Sequence, residues 1–281
     1  MRPWAVSAFP SDRHRSEIVR RLRAAGCVFA EDEARLLIDE AETSSDLHHS
    51  VDRRVAGLPL EHVLGWAEFC GLRIAVDAAV FVPRRRTELL VRQAAAVARR
   101  AASAASEVAA RPPVVVDLCC GSGAVGAALV AALHEVELYA VDIDPAAVQC
   151  AARNLAATIG QVYLGDLYEA LPATLRGRVD IIVANAPYVP TDAVGLMPPE
   201  ARVHEPRVAL DGGPDGLDVQ RRVITGARPW LSSRGRLLVE TSRPQAPHTF
   251  EAFVRSGLRA RVARSDELDA TVVVSTGPAW A

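Results

Sequence analysis

Apolar and polar positions change rhythm twice along the chain. Up to about residue 60 they repeat at helical spacing. Ser11 precedes a periodic segment running to Gly26, Glu31 to Glu42 carries Ala34, Leu37, Ile38 and Ala41 on one face, and Asp46 to Ala56 predicts a third short helix. From Pro59 to Pro83 the runs shorten: Phe69 to Val76 and Ala79 to Val82 read as strands, with Asp77-Ala78 as the turn between them. Thr87 to Ala110 predicts an Ala-rich helix, ended by Pro112-Pro113.

Beyond Pro113 short apolar runs alternate with helical segments. Strands are expected at Val114 to Leu118, Val136 to Val141, Gln161 to Leu164, Val179 to Ala184, Gly235 to Glu240, Leu258 to Ala263 and Thr271 to Ser275. Helices are expected at Ala124 to Leu133, Pro145 to Ala157 and Leu217 to Leu231. This order predicts an α/β fold with a doubly wound, mostly parallel sheet covered by helices on both faces. The expected division is a helical domain over 1–58, a β-hairpin linker over 59–85 and the α/β domain over 86–281.

In such sheets ligands bind outside the carboxyl ends of the strands. The strand Val179 to Ala184 ends in Asn185-Ala186-Pro187-Tyr188: an amide side chain, a backbone carbonyl ahead of a rigid proline, and an aromatic face. Together they could grip a planar NH2 group, although Asn before a proline turn is also an ordinary strand terminator. Earlier, Gly121-Ser122-Gly123-Ala124-Val125-Gly126 follows a strand and opens a helix, in the G-x-G-x-x-G pattern. Taken alone, a tight strand-to-helix turn explains it. Three acids sharpen it, since Asp117 precedes the turn, Asp142 ends the next strand and Asp166 follows the third. A carboxylate at Asp142 suits a ribose diol, and Asp166 is placed to accept from an adenine amine. An adenosine-containing cofactor follows. A dehydrogenase needs an acid-base group near the hydride site, and none follows the later strands, so a methyl donor is favoured over a nicotinamide.

Composition narrows the partners. With 281 residues, half of them hydrophobic and 23% charged, the chain suits a globular enzyme with a sizeable core. The formal net charge of −2 gives no footprint for a nucleic-acid duplex. All 32 basic residues are Arg, which excludes a P-loop or Schiff-base lysine. Five cysteines without a C-x-x-C pair fit neither a zinc cage nor a disulfide framework, and a reducing cytoplasm is expected. Trp4 to Pro10 is too short for a signal-peptide core, and glycines interrupt the uncharged run Leu118 to His134 short of a membrane span.

From about Pro59 to Pro244 the sequence resembles the HemK/PrmC family of protein-(glutamine-N5) methyltransferases. The resemblance is carried by Pro83-Arg84-Arg85-Arg86-Thr87-Glu88, Asp117-Leu118-Cys119-Cys120-Gly121-Ser122-Gly123, Ala140-Val141-Asp142-Ile143-Asp144-Pro145, Gly165-Asp166-Leu167 and Asn185-Ala186-Pro187-Tyr188. Glu205 to Gly213 with Asp215-Gly216-Leu217, and the strand ending Leu238-Val239-Glu240, complete it. It departs from the family at Arg85-Arg86 (usually Pro-Glu), Cys119 (usually Gly) and Ala186 (usually Pro). The resemblance implies a seven-stranded Rossmann-like methyltransferase fold and S-adenosyl-L-methionine as cofactor, with S-adenosyl-L-homocysteine as product and no metal. It implies cofactor contacts at Asp117, Cys119, Gly121, Ser122, Gly123, Asp142, Ile143, Asp166, Leu167, Asn185 and Thr87. Asn185, Ala186, Pro187 and Tyr188 become the catalytic set. The implied acceptor is a glutamine exposed on a protein, such as a ribosomal release factor, with the enzyme monomeric, off the membrane and not bound to nucleic acid. A nucleic-acid base amine or a small-molecule amide or amine would fit the same grip, and a module that only binds the cofactor would share the glycine turn.

Overall fold

The five residues of one strand, Val114–Leu118, are all buried, and they sit at the centre of a seven-stranded sheet. The computed structural model describes residues 12–103, 111–158 and 160–278. Val114, Val116 and Leu118 face one hydrophobic cluster and Val115 the other, as the two-residue period of a strand buried on both faces requires.

In chain order the elements are α1 (Asp12–Ala24), α2 (Ala30–Glu40), α3 (Ser44–Val55), α4 (Leu60–Leu64), β1 (Trp66–Phe69), β2 (Leu72–Ala75) and α5 (Glu88–Ser103). They continue with β3 (Val114–Leu118), α6 (Ala124–Leu133), β4 (Glu137–Asp142), α7 (Pro145–Asn154), β5 (Gln161–Leu164) and β6 (Val179–Ala184). Last come α8 (Pro199–His204), α9 (Asp218–Gly226), β7 (Leu231–Thr241), α10 (Ala246–Arg255), β8 (Leu258–Ser265) and β9 (Ala270–Pro278). The sheet order is β5-β4-β3-β6-β7-β9-β8. β3, β4, β5, β6 and β7 are parallel, and β9 pairs antiparallel with both β7 and β8. Helices α5 and α6 cover one face, and α9 and α10 the other. The chain thus has the expected doubly wound, mostly parallel sheet.

Several boundaries differ from those read in the sequence. The hairpin is formed by β1 and β2, with Phe69 opposite Leu72, so its turn is Cys70-Gly71 and not Asp77-Ala78. Both turn residues have positive φ, 52° and 74°, the two-residue geometry that matches strand twist. Ala79 to Val82 is not a strand; Val80 and Val82 instead bury against Cys150 in a small satellite core. The helix expected over Thr87 to Ala110 begins at Glu88 after a short 3-10 turn, and its last expected residues, 104–110, lie outside the described residues. α9 stops at Gly226, ahead of Pro229, where the chain turns into β7. β7 starts four residues earlier than Gly235, and α4, α8 and α10 were not foreseen.

Helices α1 to α3 bury Ile18, Leu22, Ala34, Leu37, Leu47 and Val51 in a cluster of their own. Arg54 on α3 is 6% exposed. Its Nε donates to Glu33 at 2.6 Å and its Nη1 to Glu200 on α8 at 2.6 Å. A buried guanidinium left without its carboxylates would be costly, so this triad ties the helical segment to the wall of the cavity described below. Among the described residues no helix is long and apolar enough to cross a membrane.

Candidate active site

β3 is the point where the strand order reverses, with β4 on one side and β6 on the other, and a cavity of about 610 Å³ opens at the carboxyl ends of these strands. Its volume is in the range of sites that enclose a small organic molecule.

The floor is the turn after β3. The Cys120 N–H donates to the Val141 carbonyl at 3.0 Å, which fixes the turn to β4. Asp142, at the end of β4, accepts from the Gly121 N–H through Oδ2 at 2.8 Å and from the Asp144 N–H through Oδ1 at 2.9 Å. Burial raises the Asp142 pKa, and the two backbone donors hold it down. Asp144 in turn caps α7 by accepting from the Ala146 N–H at 2.9 Å, with Pro145 in the first turn of that helix. Asp117 is 1% exposed and accepts from the Gly126 N–H at 3.0 Å, locking the first turn of α6 to β3. Burial pushes its carboxyl up to about 7, against the pull of that hydrogen bond.

Asp117, Cys119, Gly121 and Ser122 all line the cavity, as do Asp142, Ile143, Asp166 and Leu167. Gly123 does not. A Cβ there would lie 3.1 Å from the Ala151 Cβ and 3.2 Å from its Cα, and φ is 78°, so this glycine serves the close packing of α6 on α7. Asp166 reaches the cavity already paired, taking a hydrogen bond from Arg222 Nη2 at 2.7 Å. The thiols of Cys119 and Cys120 are pushed far up by burial, so neither is a poised thiolate. Ile143, half exposed, and Leu167 give the β4 and β5 side an apolar lining.

On the other side of β3, β6 delivers Asn185, Ala186, Pro187 and Tyr188 to the same cavity. Asn185 Nδ2 donates to the hydroxyl oxygen of Thr87 at 3.3 Å, leaving Oδ1 free to accept. The Tyr188 carbonyl accepts from Gln245 Nε2 at 2.9 Å, and its hydroxyl is pushed up to about 12, chiefly by burial. The chain after Tyr188 is backed by the segment 210–216: Val189 donates to the Leu210 carbonyl at 3.0 Å and accepts from the Gly212 N–H at 2.8 Å. A Cβ on Gly212 would stand 2.6 Å from the Pro187 carbonyl oxygen, so a side chain there would push the tetrad out of line.

Sequence reasoning missed three features. Arg84 donates to both oxygens of Glu205, at 2.6 and 2.7 Å, and Glu205 is 5% exposed and also accepts from the Val82 N–H. Arg86 lines the cavity and forms no close ion pair among the described residues. Glu240, ending the apolar run Leu237-Leu238-Val239 of β7, is 2% exposed beside the tetrad, and neither carboxylate oxygen has a hydrogen-bond partner. An acid closing an apolar strand was the available signal, the same one that marked Asp142. Among the described residues no group of three or more His, Cys, Asp or Glu is arranged to hold a metal ion.

Residues 105–213 match the family model described as the methyltransferase small domain. The release factor glutamine methyltransferase of Geobacter sulfurreducens is 39% identical over 209 residues, 74% of this chain and 69% of that protein. The protein of the same name from Mycolicibacterium smegmatis is 36% identical over 220 residues, 78% of this chain and 74% of that one. Among solved structures, the ribosomal protein L11 methylase from Lactobacillus delbrueckii subsp. bulgaricus superimposes with a TM-score of 0.50 at 16% identity, covering 73% of this chain and 85% of that one, a likeness of fold. The chain belongs to the release factor glutamine methyltransferase family and is an S-adenosylmethionine-dependent methyltransferase.

Proposed function

We propose that the enzyme methylates the side-chain amide nitrogen of a protein glutamine, with a ribosomal release factor as the acceptor, in keeping with the names of its relatives. The carrying observation is that Asn185, oriented by Thr87, opens into the same cavity as Asp142 from the neighbouring side of β3. The cavity suits S-adenosylmethionine. Asp142 keeps lone pairs for a ribose diol beyond the two it gives to backbone N–H groups, Asp166 offers a carboxylate to an adenine amine, and Ile143 and Leu167 give that side apolar walls. When bound, that cofactor supplies a methyl group already activated by its sulfonium.

A carboxamide nitrogen is a weak nucleophile because its lone pair is delocalised into the carbonyl. The chain's contribution is therefore alignment. Asn185 Oδ1 and the Ala186 carbonyl accept the two N–H hydrogens of the glutamine amide, and the Tyr188 ring packs on its plane. The lone pair is then aimed at the methyl carbon, an orientation effect that needs no strong base. With the methyl group supplied by the bound cofactor, the part left to this chain is to hold the amide nitrogen in line and to leave one amide proton free to pass to solvent. Residues 1–58 form the docking surface for the protein acceptor, 59–85 the linker and 86–281 the catalytic domain. The Arg54 to Glu200 contact supports that arrangement, since it couples the helical segment to the cavity wall.

Incubation of the protein with labelled cofactor and release factors, followed by mass spectrometry of glutamine-containing peptides, tests the assignment. A 14-dalton increment on one glutamine is expected, about the mass of an added CH2 on replacing N–H by N–CH3. Label appearing in DNA or RNA instead would reject it.

A further inference from the structure

Glu240 is a buried carboxylate whose two oxygens accept no hydrogen bond, placed next to a group whose orientation decides the chemistry. β6 and β7 are parallel with Ala184 opposite Val239, so Asn185, just past the end of β6, lies beside Glu240 near the end of β7. Its polar side-chain neighbours are the hydroxyls of Thr87 and Tyr188, close enough to act on its ionisation though outside hydrogen-bonding geometry, with the Arg86 guanidinium also acting on it. Its own backbone carbonyl is held by Gln220 Nε2 at 3.2 Å, which fixes the residue on β7.

The geometry points to Glu240 as the positioning residue that fixes which end of the Asn185 amide faces the acceptor, by accepting a hydrogen bond from the Thr87 hydroxyl. This rests on the amide-grip reading above. A hydroxyl has one proton and two lone pairs. If Thr87 donates to the Glu240 carboxylate, its oxygen can only accept from Asn185. Asn185 must then turn its NH2 toward Thr87, as observed at 3.3 Å, and present Oδ1 to the cavity. If Thr87 kept its proton for Asn185, the amide would turn over and its NH2 would oppose the N–H groups of the acceptor. Asn185 alone has no preference between the two, because an amide is nearly symmetric in shape. The second Glu240 oxygen is left for the Tyr188 hydroxyl, which steadies the ring of the grip.

Burial raises the Glu240 pKa to about 7, with Thr87, Arg86 and Tyr188 opposing the rise. Those are the polar and charged groups that act on it. Only the ionised form is restricted to accepting; the protonated carboxyl can donate to Thr87 instead and free the Thr87 proton for Asn185, so the orientation is no longer fixed as pH falls through this value.

The test pairs nuclear magnetic resonance of the Asn185 side chain with turnover. In the wild-type protein the Asn185 NH2 resonances should shift with pH through the Glu240 ionisation, and the shift should vanish in Glu240→Gln and in Thr87→Val. At saturating cofactor both variants should lose about ten- to hundred-fold in kcat, the cost of a misaligned acceptor. The double variant should be no worse than either single one, since the two act as one chain. Thr87→Ser should restore activity, and cofactor affinity by calorimetry should stay within about twofold in Glu240→Gln. An Asn185 resonance unmoved between pH 5 and 9 overturns the inference without any acceptor being needed. So does a Glu240→Gln enzyme with wild-type kcat while Asn185→Ala is inactive, which leaves the amide grip standing. Wild-type turnover in both would remove the grip itself.

Discussion

At the end proposed for the cofactor both oxygens of Asp142 are taken by backbone N–H groups, at 2.8 and 2.9 Å, whereas at the end proposed for the acceptor neither oxygen of Glu240 has a hydrogen-bond partner in the structure. The two carboxylates close neighbouring parts of one sheet. Asp142 ends β4, beside the strand that carries the glycine turn, and Glu240 lies near the end of β7, beside the strand that carries the tetrad. The first end is held in shape by its own chain: Asp117 grips the start of α6, Asp142 grips the turn, and Asp144 caps α7. At the second the backbone is tied by the Val189, Gly212 and Gln245 hydrogen bonds, but the Asn185 side chain is oriented by one 3.3 Å bond. On the proposed reading, a rigid cofactor site beside a less constrained acceptor side chain would separate affinity from turnover, because different residues would control each.

That separation gives the largest expected effects. Asn185→Ala removes an acceptor made for the reacting amide, and should lower kcat by at least about 10²–10³-fold, the usual cost of deleting one preorganised polar group. Cofactor affinity measured by calorimetry should change little. Asp142→Ala should do the reverse, weakening cofactor binding by about 10–100-fold, as expected for losing charge-assisted hydrogen bonds worth roughly 1.5–3 kcal/mol. At saturating cofactor it should retain most of kcat. Asp142→Ala also frees the Gly121 and Asp144 N–H groups, so part of its loss will show as a lower melting temperature. If both variants changed kcat and affinity in parallel, the two ends would not be independent.

The cofactor end was the more legible of the two in the sequence, for a physical reason. Its parts are local: β3, the glycine turn and α6 are consecutive, and the bounds Val114–Leu118 and Ala124–Leu133 agree with those read from the apolar pattern. The strand Val179–Ala184 was equally plain, because polar or turn-forming residues bound its apolar run. The acceptor end depends on contacts distant in sequence. Asn185 meets Thr87 across 98 positions and Arg84 meets Glu205 across 121, and no periodicity reports such pairs. The hairpin was misplaced because Cys70-Gly71 is a weak turn signal, whose second residue alone is a glycine. Helix α10 could have been read, since Ala246, Thr249 and Phe253 are buried at helical spacing.

Next in size is the dependence of stability on pH. Asp117 and Glu240 are raised to about 7 in the folded protein, above unfolded values of about 4. A carboxyl raised in this direction contributes its stability in full below pH ~4 and loses it as pH rises through ~7. Each group therefore lowers stability on the order of a few kcal/mol between those limits. The protein without cofactor should melt higher near pH 5 than near pH 8, after allowance for the other groups, and Glu240→Gln should flatten that slope. The sign is opposite to that of turnover, which needs the ionised carboxylate. The acceptor end is thus least stable in the state in which it works, as strained functional sites often are. A Glu240→Gln protein no more stable than wild type at pH 8 would show that burying the ionised carboxylate carries no net cost, its contacts with Thr87, Arg86 and Tyr188 offsetting the burial.

The smallest effect concerns Cys119, where relatives of the resembled family carry glycine. Its φ is 56°, in the left-handed region that costs an L-residue about 1–2 kcal/mol. Cys119→Gly removes that cost. It also loosens the unfolded chain, which gives back roughly 0.4–1 kcal/mol, and it gives up the packing of a half-buried thiol against the cluster that holds Leu118 and Ala184. The backbone gain exceeds the entropic loss by a small margin, and the packing loss trims it further, so a net stabilisation of about 0.5 kcal/mol is expected, or one to two degrees in melting temperature. Cofactor affinity should stay within about threefold, because Asp142 and its two backbone donors are untouched. A loss of more than about 1 kcal/mol would mean that the thiol's packing outweighs the backbone strain, and that the glycine turn in this chain has been rebuilt around the sulfur.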